Sequence, residues 1–176
     1  MSHATLDALT NVILVGLRAS GKSTLGPLLA QTLQRPWVDL DEVLAQRAGC
    51  DIDTLLTRDG EAGFRRAERD VLVWAAGLEG HVIATGGGAV LHEAEAAALA
   101  GSGVVVYLDL PLAELARRAA QRPRPALTAL APSEELAALA AQRAPRYAAL
   151  AHITVRSGDP VPILDAIHRW SKKQHG

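Results

Sequence analysis

Residues Gly16-Leu17-Arg18-Ala19-Ser20-Gly21-Lys22-Ser23 satisfy the pattern G-x-x-x-x-G-K-[ST]. The apolar run Val12–Val15 precedes them and an amphipathic segment, Leu25–Leu33, follows. That context predicts a strand, a tight loop and a helix in succession. Glycines let backbone N–H groups close on a phosphate, and the start of the helix adds the positive end of its dipole. Lys22 is of the type and spacing to reach the β- and γ-phosphates of a nucleotide, and the Ser23 hydroxyl to ligate Mg²⁺. A plain Gly-rich turn is the alternative, and the placement between strand and helix argues against it. The loop points to a nucleotide and leaves the reaction open.

Four further short β-rich runs follow, at Pro36–Asp39, His81–Ala84, Gly103–Leu108 and Ala151–Val155. Segments with helical spacing alternate with them, including Asp59–Ala76, Leu112–Ala120, Ser133–Leu150 and Pro162–Lys172. Alternation of this kind predicts an α/β fold with a five-stranded parallel sheet and helices on both faces, hence three layers. Pro111 is expected at the first position of its helix, Ser133 as an N-cap, and Asp159-Pro160 just ahead of the last helix. No repeat or linker divides the 176 residues, so one domain spanning 1–176 is expected.

Composition narrows the partners. A formal charge of −1 offers no basic excess for nucleic acid or an anionic membrane. The longest early apolar run is too short to span a bilayer and lacks the features of a secretory leader. The single cysteine, Cys50, excludes an intrachain disulfide framework and fits a reducing, cytoplasmic setting. The six histidines have no metal-ligand spacing and read as surface or strand-edge residues. Trp37, Trp74 and Trp170 read as packing groups.

Residues 113–150 differ from the rest. They are rich in alanine and hold six arginines (117, 118, 122, 124, 143 and 146), with Pro123, Pro125 and Pro132 interrupting the helical pattern. The stretch suits either a solvated surface excursion or a mobile helical lid, at about 113–132, that carries arginines to an anionic ligand. Two carboxylate groups compete for the metal. Asp109 closes the run Val104–Leu108 in the manner of a Walker B, or caps the helix near Pro111. Asp39 and Asp41 close the second strand and would point the same way if that strand continued through them. Spacing leaves both open.

Over Asn11–Trp170 the chain resembles the shikimate kinases, P-loop small-molecule kinases related to the nucleoside monophosphate kinases. Beyond the phosphate loop the likeness rests on Asp39-Leu40-Asp41 (D-x-D), Gly60-Glu61-Ala62-Gly63-Phe64-Arg65-Arg66-Ala67-Glu68 (G-E-x-x-F-R-x-x-E) and Thr85-Gly86-Gly87-Gly88. Arg124-Pro125-Ala126-Leu127 and Arg143-Ala144-Pro145-Arg146-Tyr147 are similar to two further segments of the family.

The resemblance implies transfer of the γ-phosphoryl of MgATP to the 3-hydroxyl of shikimate by a cytoplasmic monomer. It implies ATP contacts from Gly16, Ala19, Ser20, Gly21, Lys22, Ser23, Thr24, Arg117 and Arg124, with Lys22, Asp41 and Arg124 catalytic. Asp41 would orient the attacking hydroxyl, and Asp39 would act on Mg²⁺ through water, which favours it over Asp109. Arg65 and Arg143 would clamp the substrate carboxylate, because a guanidinium pairs bidentately with a planar anion. Phe64, Gly86, Gly87 and Gly88 complete the implied acceptor site, the glycines by letting backbone approach the ring. Glu61 and Glu68 lie at helical spacing to hold Arg65. Arg117, with Arg118 beside it, would pack on adenine.

The chain departs from the family pattern at four places. Ala19 stands where a second glycine is usual, which is expected to limit the loop to conformations open to a residue with Cβ. Leu56 replaces a pocket phenylalanine, Ala126 a lid leucine and Arg146 a leucine before Tyr147. Two other functions are weighed: a kinase of another hydroxy acid such as gluconate, and a non-catalytic ligand-sensing module. About ten residues precede the first strand, too few for a helix-turn-helix.

Overall fold

The computed structural model describes residues 6–121 and 130–174. Its sheet is fully parallel. Strands β1 (Asn11–Val15), β2 (Trp37–Asp39), β3 (Val82–Ala84), β4 (Gly103–Leu108) and β5 (Ile153–Val155) lie in the order β2-β3-β1-β4-β5. Register aligns Leu14 with Ala84 and Val106, and Asp39 with Ala84, so the carboxyl ends of the inner strands finish at one level. That edge, next to the point where strand order reverses, is where such sheets take ligands.

Each inner strand is buried on both faces, which is why it reads as unbroken aliphatic sequence. Val12 and Leu14 face α1 (Lys22–Leu33) and α7 (Pro160–Gln174), against Leu25, Leu29, Ile163 and Ile167. Ile13 and Val15 face the opposite core, built from α2 (Leu40–Ala48), α3 (Ile52–Ala76), α4 (Glu93–Ala100), α5 (Leu112–Gln121) and α6 (Pro132–Leu150). The predicted three layers are thus present.

Local chemistry moves several boundaries. The second strand stops at Asp39, whose Oδ1 accepts from the Asp41 backbone N–H at 3.0 Å and so caps α2. Asp39 and Asp41 are therefore cap and first helical turn, not alternate residues of a strand. α3 starts earlier than the expected Asp59, at Ile52, and is interrupted at Gly60, which has φ 68°. Pro111 precedes its helix rather than opening it. α6 opens at Pro132 with Ala131 as N-cap, so Ser133 lies inside it. Asp159 does sit just before α7, accepting from the Val161 N–H at 2.9 Å. Residues 122–129, with Arg124 and the middle of the expected lid, lie outside the described residues. Among the described residues no helix is long and apolar enough to cross a membrane.

Candidate active site

The loop after β1 keeps a wrapped form. Gly16 and Gly21 have φ of 150° and 95°, and Ala19 has φ 64°. The loop thus keeps to a conformation that a residue with Cβ can adopt, though a sparsely populated one. Ala19 occupies the left-handed region a glycine would use, at a cost of roughly 1 kcal/mol. Ser20 is buried, and α1 starts at Lys22 directly behind Gly21. Lys22 Nζ donates to Gly16 O at 2.7 Å, Leu17 O at 2.9 Å and Ser20 Oγ at 3.2 Å. These bonds fold the ammonium back onto its own loop, and Ser23 and Thr24 just after it are exposed.

Ser23 Oγ donates to Asp39 Oδ2 at 2.6 Å. Asp109 is engaged elsewhere, accepting from Tyr107 Oη at 3.1 Å and Arg156 Nε at 3.2 Å. Of the two candidate carboxylates, Asp39 is thus the one that meets the phosphate loop. Its partly buried carboxylate beside a hydroxyl is a hard-oxygen pair of the kind Mg²⁺ accepts alongside phosphates and water. Among the described residues no group of three or more His, Cys, Asp or Glu is placed to hold a metal alone. The ion such a pair suits is one that arrives with a nucleotide.

The triple glycine after β3 is where the other side chains converge. A methyl built on Gly86 would lie 2.6 Å from Asp41 Oδ1. One on Gly88 would lie 2.6 Å from Arg65 Nη1 and 3.0 Å from Glu68 Oε1. One on Gly87 would lie 3.5 Å from Arg143 Nη1 and 3.5 Å from the backbone nitrogen of Arg18. Gly87 O accepts from Arg143 Nη1 at 2.9 Å and from Tyr147 Oη at 2.6 Å. At Gly86 and Gly88 polar side chains stand where a Cβ would be, whereas at Gly87 a Cβ would meet only ordinary contacts.

Electrostatics mark the same spot. Arg143 is only 6% exposed, and its Nε is buried without a hydrogen-bond partner. Burial lowers its pKa, and the nearby positive charge of Arg65 lowers it further. Two guanidiniums close enough to repel, one of them desolvated, favour an anion between them. Arg65 is steadied by Glu68 at 2.6 Å and Glu61 at 3.6 Å, as helical spacing predicts. Phe64 is buried in the core, its ring centroid 5.3 Å from the Arg65 guanidinium carbon. Leu56 packs against the same core.

One histidine departs from the expected surface or strand-edge placement. His92 is buried, with Nε2 3.2 Å from the Glu68 oxygen that holds Arg65. Its partner is 24 residues away and on another element, so no local pattern signals it. At the other side of the loop, Arg117 is exposed and paired with Glu114. Arg118 also pairs with Glu114, but its Nη1 lies 3.2 Å from a methyl built on Gly21. Of the two, Arg118 is the arginine beside the phosphate loop.

The geometry therefore sets the phosphate loop and a hydroxyl–carboxylate pair against a glycine-lined hollow that gathers Arg65, Arg143 and the Asp41 carboxylate. Residues 18–170 match the family described as "Shikimate kinase". The chain belongs to the shikimate kinase family. A shikimate kinase of Nitratidesulfovibrio vulgaris is 46% identical over 157 residues, covering 87% of this chain and 90% of that protein. One of Symbiobacterium thermophilum is 43% identical over 148 residues, covering 82% and 85%. Among solved structures, shikimate kinase from Acinetobacter baumannii in complex with shikimate superposes with a TM-score of 0.81 at 32% identity, over 96% of this chain and 92% of that one. The five-stranded parallel fold is thus the fold of the shikimate kinases.

Proposed function

We propose that the chain transfers the γ-phosphoryl of MgATP to the 3-hydroxyl of shikimate, giving shikimate 3-phosphate and ADP, as a single cytoplasmic domain acting as a monomer. The observation that carries this reading is the convergence of Asp41, Arg65 and Arg143 on Gly86–Gly88, with the Arg18 backbone of the phosphate loop against Gly87. A carboxylated ring can pair its anion with Arg65 and Arg143 and present a hydroxyl to Asp41.

In the transfer, the acceptor oxygen bonds to the γ-phosphorus as the bond to the β-phosphate bridging oxygen breaks, and the hydroxyl proton leaves. Asp41 orients that hydroxyl and takes its proton. Such transition states are loose, so positioning outweighs base strength. Lys22 would exchange its loop carbonyls for β- and γ-phosphate oxygens, the charge it is there to offset. Arg118 beside Gly21 is the better placed partner for the nucleotide's base, with Arg117 as the alternative. Ser23 would ligate Mg²⁺ directly and Asp39 through water. Bound there with ATP, the ion neutralises charge on the phosphates. Arg124 is proposed to add a positive charge to the phosphates.

Two guanidiniums flanking the triple glycine favour shikimate over an acyclic sugar acid. Retention of both Asp39 and Asp41 at the loop favours a kinase over a sensor. ADP release from MgATP over a panel including shikimate, quinate and gluconate tests the reading. Release with shikimate is expected, and release with gluconate alone would replace the acceptor.

A further inference from the structure

Arg18 is the third residue of the phosphate loop, and its side chain leaves the loop altogether. Its Nη2 forms an ion pair with Glu135 Oε2, 117 residues away in the first turn of α6. Glu135 is 1% exposed, and the Arg18 side chain 19%. The start of α6 favours an anion there through the helix dipole. Even so, a buried ion pair is a weak way to add stability, because desolvation offsets most of its attraction. The Nε of Arg18 is itself buried without a hydrogen-bond partner, so the pair is incompletely satisfied. Stability alone does not account for it.

Its place in the fold does. Glu135, Leu139, Arg143 and Tyr147 recur every four residues and are all buried, so they form one stripe along α6. At one end the stripe holds the phosphate loop through Arg18. At the other it holds the acceptor pocket, through the two bonds from Arg143 and Tyr147 to Gly87 O. Gly87 in turn lies against the backbone nitrogen of Arg18. The contacts close a ring from loop to glycine, to α6, to Glu135 and back to the loop.

We propose that the Arg18–Glu135 pair is a positioning link that sets the donor site in register with the acceptor site, so that filling one tightens the other. The inference rests on the kinase reading above. Movement of the loop onto phosphates pulls on α6, and α6 carries the clamp arginine. Linkage requires the effect to be reciprocal, and couplings of this type are commonly about 5- to 150-fold.

The test compares wild type with Arg18→Met/Glu135→Met, which replaces both charges of the pair by apolar groups. Shikimate binding is titrated with and without a non-hydrolysable MgATP analogue, and kcat and both KM values are measured. In wild type the analogue is expected to tighten shikimate binding about fivefold or more. In the double variant the tightening should fall to within about twofold of none, and kcat about tenfold. Shikimate affinity without nucleotide, and the melting temperature, should hold. A merely structural pair would move the last two and spare the coupling. A double variant with wild-type coupling and kcat overturns the inference alone, as does a wild type that turns over shikimate without coupling. A wild type with no shikimate turnover would sink the functional reading and the link with it.

Discussion

Arg65 and Glu68, three residues apart on α3, meet at 2.6 Å, and the Glu68 oxygen that takes the guanidinium also lies 3.2 Å from buried His92. Arg65 is thus held by a carboxylate that is itself anchored to another element. Its charge reaches the pocket with little freedom left to lose on binding.

Arg65→Ala should therefore raise the shikimate KM by about 10- to 100-fold, the value of a charge-assisted contact to a carboxylate. The KM for ATP should stay within about twofold. Steady-state kinetics with each substrate varied in turn would check this, and a change confined to ATP would contradict the clamp.

Asp41 occupies the space that a side chain at Gly86 would fill. Gly86→Ala should push the carboxylate aside and lower kcat about 100-fold, because an ångström of misplacement costs that much in a positioned reaction. Asp41→Asn should reduce kcat at least as far. Nucleotide affinity, measured by titration of a fluorescent ATP analogue, should be retained in both. Wild-type turnover in either would remove Asp41 from the chemistry.

Ala19 carries its left-handed backbone without a glycine's freedom. Ala19→Gly should relieve about 1 kcal/mol of strain, less the added entropy of the unfolded chain. Denaturant unfolding should show a higher midpoint at unchanged slope. A lower midpoint would mean that Cβ packing outweighs the strain.

The chain has two tyrosines, and the fold withholds both from ionisation. Burial chiefly, with Asp109 adding, pushes Tyr107 up to about 12, and burial raises Tyr147 as well. Both folded values lie above the ordinary value of 10, so the stabilising contribution is full below pH 10 and is lost as pH rises through the folded values. An ultraviolet absorbance titration should show little phenolate at pH 10 in native protein and about half in urea. Equal phenolate in the two states would contradict the burial of these rings.

The parts of this account that were legible in the sequence are local ones. Val12–Val15 and Gly103–Leu108 read as strands because burial on two faces demands unbroken aliphatic residues. Gly16–Ser23 read as a phosphate loop because its chemistry is confined to eight consecutive residues. Glu61, Arg65 and Glu68 follow from helical spacing. Asp39-Leu40-Asp41 reads as the close of the second strand, and Asp39 does end it, by capping α2 rather than by continuing an alternation. What stayed hidden depends on distant segments. His92 has its partner 24 residues away, and Arg18 has Glu135 at 117. Spacing alone likewise leaves Asp39 and Asp109 open, because Ser23 comes beside Asp39 only in the folded chain.

The most direct test is ³¹P NMR of equimolar MgATP and shikimate with purified protein. The account predicts loss of the γ-phosphate signal and growth of one phosphate monoester per ADP, located on the 3-oxygen of shikimate. Inorganic phosphate in place of the ester, or ATP left intact, would contradict it.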